Sequence, residues 1–101
     1  MSGSVEAVVA PPKLAPPPHY QVVMLNDDVT TMDFVIDILM DIFQMDYVQA
    51  ERVMYRIHEQ GSAVCGIYCK EIAETKAEQV HHLAREAGFP LRCQLQPISR
   101  S

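Results

Sequence analysis

Asn26-Asp27-Asp28 is the stretch whose side chains are best placed to do chemistry. Three acceptor-rich residues stand between an apolar strand-like run, Tyr20 to Leu25, and an apolar helix-like run from Asp33 to Gln44. Asn and Asp accept from nearby backbone donors and tolerate unusual dihedrals, so the triplet also suits an ordinary turn and helix cap. A second group lies further on, where Met54, Ile57 and His58 fall within one helical turn. Met54 and Ile57 fit a buried stripe, and His58 sits at its edge. Taken alone, His58 fits a half-buried imidazole bonded to backbone. If this helix meets the Asn26–Asp28 turn, the acceptors instead border a Met-lined hollow.

Other constellations are weaker. An Asp-His pair without a nucleophile motif does not make a hydrolase, and no Gly-rich phosphate or oxyanion loop is present. Cys65 and Cys69 on one strand would stand about 13 Å apart, too far to share a metal ion or a disulfide. His81 and His82 are adjacent on a helix and point in different directions, which suits structural or surface roles. The Asp33, Asp37, Asp41 series at i, i+4 spacing reads as a solvated face. No catalytic residue, metal site or cofactor is expected.

The elements that must position these residues follow from pattern. The 101 residues suffice for one domain, and 49% hydrophobic content suits a globular one. Residues 1–18 hold five of the seven prolines and no sustained periodicity, so they are expected to be a flexible leader, reaching on the order of 50 Å. Residues 19–101 form the core domain. Tyr20–Leu25 is the first strand. Thr30 is expected to cap the first helix, with Asp33 completing a capping box, and Val35, Ile38, Leu39 and Ile42 facing inward. Asp46 caps a second helix with Ala50, Val53, Met54 and Ile57 buried, ended by Gly61. Ser62 to Ile72 reads as a long strand with a bulge near Gly66. Thr75 and Glu78 read as the box opening a third helix, with Ala77, Val80, Ala84 and Ala87 inward and Gly88 as its cap. Leu91–Gln96 is a last strand, ended by Pro97. The order is β-α-α-β-α-β, an α+β domain with a three-stranded antiparallel sheet packed against three helices.

Charge and cysteine usage bound the partners. The net charge is -5, and the leader contributes none of it because Glu6 and Lys13 cancel. An acidic domain without a Lys/Arg cluster is unsuited to nucleic acid. It suits a cationic ligand group or a basic patch on a partner. No run is long enough for a membrane span, and no signal pattern precedes the domain. Three cysteines, an odd count, then point to reduced thiols in a cytoplasm.

The segment Val22 to Leu95 resembles the ClpS adaptors of bacterial ATP-dependent proteases. The matching pieces are Leu25-Asn26-Asp27-Asp28 with Thr30 and Met32, Phe34-Val35-Ile36-Asp37, and Ile57-His58-Glu59-Gln60-Gly61. Cys65-Gly66-Ile67-Tyr68, Glu71-Ile72-Ala73-Glu74-Thr75-Lys76, Ala84-Arg85-Glu86 and Pro90-Leu91 continue the match. The resemblance implies a monomeric, non-enzymatic reader of N-degrons. Such adaptors hold an N-terminal Leu, Phe, Tyr or Trp and deliver its protein to a Clp unfoldase (ClpA-type) through that enzyme's N-terminal domain. By the same resemblance Asn26, Asp27, Asp28 and His58 hold the free α-amine and first peptide group. Thr30, Met32, Val35, Met54, Ile57 and Leu91 line the side-chain pocket, Glu71 and Lys76 face the unfoldase, and the leader serves delivery. An ammonium carries three donors, which the Asn26 carbonyl, the Asp27 carboxylate and a neutral His58 nitrogen can meet. Thr31 stands where many relatives have proline, implying a less rigid turn, and Ile57 where valine is expected, implying a shallower pocket. A stalk-like module that docks translation factors through a helix face is the competing class, and it would not need Asn26 and His58 together.

Overall fold

The computed structural model describes residues 19–98, so the reading of residues 1–18 as a leader lies outside the described residues. Six elements follow in the expected order: β1 (His19–Leu25), α1 (Met32–Asp41), α2 (Tyr47–Gln60), β2 (Ser62–Cys69), α3 (Lys70–Ala87) and β3 (Arg92–Ile98). The sheet order is β2-β1-β3 with both pairings antiparallel. Because β1 is central, its inward residues Val22 and Met24 are wholly buried. They meet Val35, Ile38 and Leu39 of α1, Val53, Met54 and Ile57 of α2, and Ala73, Ala77, Val80 and Ala84 of α3 in one core. No described helix is long and apolar enough to cross a membrane.

Local chemistry accounts for the ends of α2. Asp46 accepts from the Gln49 N–H at 2.8 Å, and Gly61 closes the helix in the left-handed region, φ 92°, with its N–H on the Ile57 carbonyl. The sheet register shifts between Val22 and Val23, where Gly66 and Val64 are successive partners and Cys65 is the extra residue. A Cβ at Gly66 would overlap the Tyr68 ring, so glycine lets that ring close over the bulge. Beyond the bulge the alternation of faces slips. Cys65 is therefore buried and Cys69 exposed, and the two do not share a face as the unbroken strand implied.

Several boundaries differ from expectation. Thr31, not Thr30, caps α1, accepting from the Phe34 N–H at 3.2 Å, because Thr30 is already committed to Asp27. α1 ends at Asp41, and Gln44 takes a positive φ of 54° in the short connection. β2 stops at Cys69 and α3 starts at Lys70, so Thr75 and Glu78 lie inside the helix and form no capping box. The helix formers from Lys70 onward, with Ala73 wholly buried one turn before Ala77, outweigh the extended reading. Ala87, expected inward, is exposed in the last turn. Pro97 does not end β3; it lies opposite Tyr20 on an edge strand, where a missing N–H disrupts no ladder.

Candidate functional site

Asp27 builds the turn. Its Oδ1 accepts the N–H of Val29 at 2.8 Å and of Thr30 at 2.6 Å, and its Oδ2 accepts the Thr30 hydroxyl at 2.7 Å. Partial burial pushes the carboxyl up, but the bonds from Thr30 and Val29 together outweigh it and hold the group below its ordinary 3.8. Three of roughly four lone-pair positions are thus used within the turn. One acceptor position and the full negative charge remain for an incoming group.

The turn is tied to α2. The Asn26 N–H donates to the Gly61 carbonyl at 2.9 Å, directly after the Leu25–Ser62 sheet pair. This bond sets the turn against the C-terminal end of α2, where His58 stands three residues before Gly61. α1 crosses from the other side, its first residues Met32 and Val35 facing the same space. The result is a hollow of about 400 Å³ lined by Asn26, Asp27, Asp28, Val29, Thr30, Thr31, Met32, Val35, Met54, Ile57 and His58. Val35, Met54 and Ile57 are buried and form its apolar floor. Asn26, Asp28 and His58 are exposed at its rim, and Met32 is 42% exposed at the mouth. His58 is therefore not the half-buried, backbone-bonded histidine that its pattern alone allowed.

Nine of the twelve residues singled out from sequence meet in this hollow. Three do not line it. Leu91 is 3% exposed and belongs to the same core, but it faces a separate hollow beside Phe89 and Pro90. Glu71 is exposed in the first turn of α3. Lys76 bridges α3 to the end of α1: its ammonium donates to the Ile42 carbonyl at 2.7 Å and to Gln44 Oε1 at 3.3 Å, and lies 5.3 Å from the Tyr68 ring centroid. Sequence reasoning missed Val29 and Thr31 as lining residues, although both belong to the turn already singled out. Two larger hollows, each about 680 Å³, run along α3, one beside Ile42 and one beside Ala77 and Cys93, and neither includes a residue of the Asn26–Asp28 turn or His58.

His81 and His82 do take different roles. The His81 Nε2 accepts the Cys93 N–H at 3.0 Å, fastening β3 to α3, and His82 faces Glu86 at 3.4 Å on the surface. Among the described residues no cluster of three His, Cys, Asp or Glu side chains is arranged to hold a metal ion.

A small α+β domain with an acceptor-rimmed apolar hollow is the class that fold and site define, and the comparisons place it in a family. The family described as ATP-dependent Clp protease adaptor protein ClpS matches residues 15–94. The ClpS adapter protein of Hydrogenovibrio crunogenus is 48% identical over 89 residues, 88% of this chain and 86% of that protein. That of Lawsonia intracellularis is 51% identical over 86 residues, 85% and 79% of the two chains. The structure of Agrobacterium tumefaciens ClpS2 bound to L-phenylalaninamide superposes with a TM-score of 0.80 at 42% identity, over 82% of this chain and 100% of that one. The chain belongs to the ClpS family of Clp protease adaptors.

Proposed function

We propose that this chain is a non-enzymatic, monomeric cytoplasmic adaptor. It holds proteins by an N-terminal Leu, Phe, Tyr or Trp and passes them to the N-terminal domain of a ClpA-type Clp unfoldase. The observation that carries the reading is the meeting of Asn26, Asp27, Asp28 and His58 with the apolar floor of Val35, Met54 and Ile57 in one hollow. Its volume of about 400 Å³ falls in the range of small-ligand sites, roughly 300–1,000 Å³. The α-ammonium is met at the rim by the Asn26 carbonyl, the remaining Asp27 acceptor position and a neutral His58 nitrogen. The first side chain passes Met32 and Thr30 into the floor. The L-phenylalaninamide bound to the Agrobacterium tumefaciens relative carries the same two groups, a free amine and an aromatic side chain.

Both groups must be present for tight binding. Burying one large side chain contributes about 1.5–3 kcal/mol. A hydrogen bond to a charged group contributes about 1.5–3 kcal/mol. Leu91 belongs to the same core as the floor residues Val35, Met54 and Ile57. Glu71 and Lys76 serve the unfoldase contact, and residues 1–18 serve delivery. The test is anisotropy titration of a Phe-initiated peptide and its acetylated form against the wild type and His58→Ala. The free peptide should bind the wild type at least tenfold more tightly than the acetylated one, and His58→Ala should erase most of that difference. Equal affinity for the two peptides would sink the amine site and favour docking through a helix face instead.

A further inference from the structure

Side chains that the core does not use run along α2 away from the hollow, two of them exposed tyrosines and one a half-buried glutamate. Tyr47, Glu51 and Tyr55 are spaced by four and make one line on the helix surface. Tyr47 is 53% and Tyr55 46% exposed, and neither packs against the core cluster. The Tyr47 hydroxyl donates to Glu51 Oε2 at 3.5 Å. The Glu51 carboxylate, and to a lesser degree desolvation, Asp33 and Tyr55, push the Tyr47 phenol above its ordinary 10.0, so all four groups share one electrostatic neighbourhood. Tyr55 lies three residues before His58 on α2, on the same face, and His58 is exposed at the rim of the hollow, so the strip adjoins the pocket mouth.

Two exposed rings beside two carboxylates have the chemistry to hold a cation with a long apolar stem. The carboxylates pair with the charge, the ring faces attract it, and the stem covers the rings. Glu51 lies seven residues from His58 on α2, an axial distance of about 10 Å. An extended peptide advances about 3.3 Å per residue. A chain whose first residue is held at His58 therefore passes Glu51 with its third or fourth residue.

We infer that Tyr47, Glu51, Tyr55 and Asp33 form a second subsite, which takes a Lys or Arg side chain at the third or fourth residue of the bound protein. The subsite rests on the reading of the hollow as an α-amine site. It makes the adaptor sensitive to charge downstream of the residue in the pocket. A solvent-exposed ion pair with a solvent-exposed cation–π contact gives a preference of roughly three- to tenfold, which fades as salt screens the charges.

The experiment uses three Leu-initiated peptides that differ only at residues three and four: both Lys, both Ser or both Glu. Each is titrated by anisotropy at low and high salt against the full chain and against an Asp33→Asn/Glu51→Gln variant. A second variant, Tyr47→Ser/Tyr55→Ser, isolates the rings. The wild type should rank Lys over Ser over Glu at low salt. The charge variant should bind the Ser peptide normally and lose the ranking, and the ring variant should lose part of the Lys gain. A ranking unchanged in the charge variant, or no ranking in the wild type while the Ser peptide binds, overturns the subsite and leaves the pocket standing. Failure of all three peptides to bind the wild type overturns the pocket and the subsite together.

Discussion

Replacing Asp27 separates the turn that its carboxylate holds together from the amine contact proposed for its charge. Asp27→Ala removes three acceptor contacts, at 2.8, 2.6 and 2.7 Å, and leaves the Val29 and Thr30 N–H groups to water or to nothing. The turn is partly exposed, so solvent recovers much of the loss. A net cost of about 1–3 kcal/mol is expected from hydrogen bonds of this kind. For a domain of this size each kcal/mol shifts the melting temperature by roughly 4–8 °C. Asp27→Asn is isosteric and keeps an Oδ1 acceptor for both backbone donors, so the turn and most of the stability should survive. What it loses is the charge facing the hollow, and affinity for a Leu-initiated peptide should fall roughly tenfold, the loss of a charge-assisted bond. Acid completes the test. Because the folded carboxyl titrates below its ordinary 3.8, its contribution is complete above that value and is lost as pH falls through the lower, folded one. The acid limb of the wild-type stability curve should therefore flatten in Asp27→Asn. Circular-dichroism melts between pH 2.5 and 7, with anisotropy at pH 7, read all three quantities. An alanine variant that melts like the wild type, together with an asparagine variant that binds like it, would refute both assignments.

Three further outcomes are expected. Met32→Ala should open the pocket mouth and raise the affinity of Ile- and Val-initiated peptides relative to Leu, because relief of one methyl clash is worth on the order of 1–3 kcal/mol; an unchanged Ile-to-Leu ratio in a folded variant would make Met32 a packing residue only. Native alkylation followed by mass spectrometry should modify Cys69 alone, since Cys65 and Cys93 are buried and burial, with Cys93 close by in the case of Cys65, pushes both thiols up to about 12; equal labelling of all three would contradict the sheet register. Lys76→Met should lower the melting temperature by several degrees, as the Ile42 carbonyl and Gln44 lose a charged donor, and an unchanged melt would show that this bridge carries no stability.

Much of the architecture is legible because it depends on local periodicity and on single residues with one physical use. The Ala50, Val53, Met54, Ile57 stripe could face only a core, and all four are buried. Gly61 and Gly88 could end helices because they alone adopt the left-handed region without strain, at φ 92° and 80°. The errors fall where two local readings compete. Thr30 and Thr31 are equally good caps by type, and only the prior claim of Asp27 on Thr30 decides between them. Lys70 to Lys76 carries helix formers and a strand-like approach, and the burial of Ala73 against the sheet settles it as helix. Thr31, expected to leave the turn less rigid than proline would, supplies a capping bond that proline cannot make.

By itself the sequence determined the order of the elements, the faces they bury and the chemical types present at the turn, because each depends on neighbours a few residues away. It also carried the family resemblance, since motifs survive as linear strings. Only the tertiary structure decided that the turn and the end of α2 border one hollow. That meeting depends on the Asn26–Gly61 hydrogen bond, formed between residues 35 positions apart once β1 pairs with β2. The same packing placed His58 at an open rim, set Leu91 apart from the hollow and drew the Lys76 ammonium onto the end of α1. No linear pattern encodes these, because burial and hydrogen-bond partnership are properties of the closed core, fixed when the helices pack against the sheet.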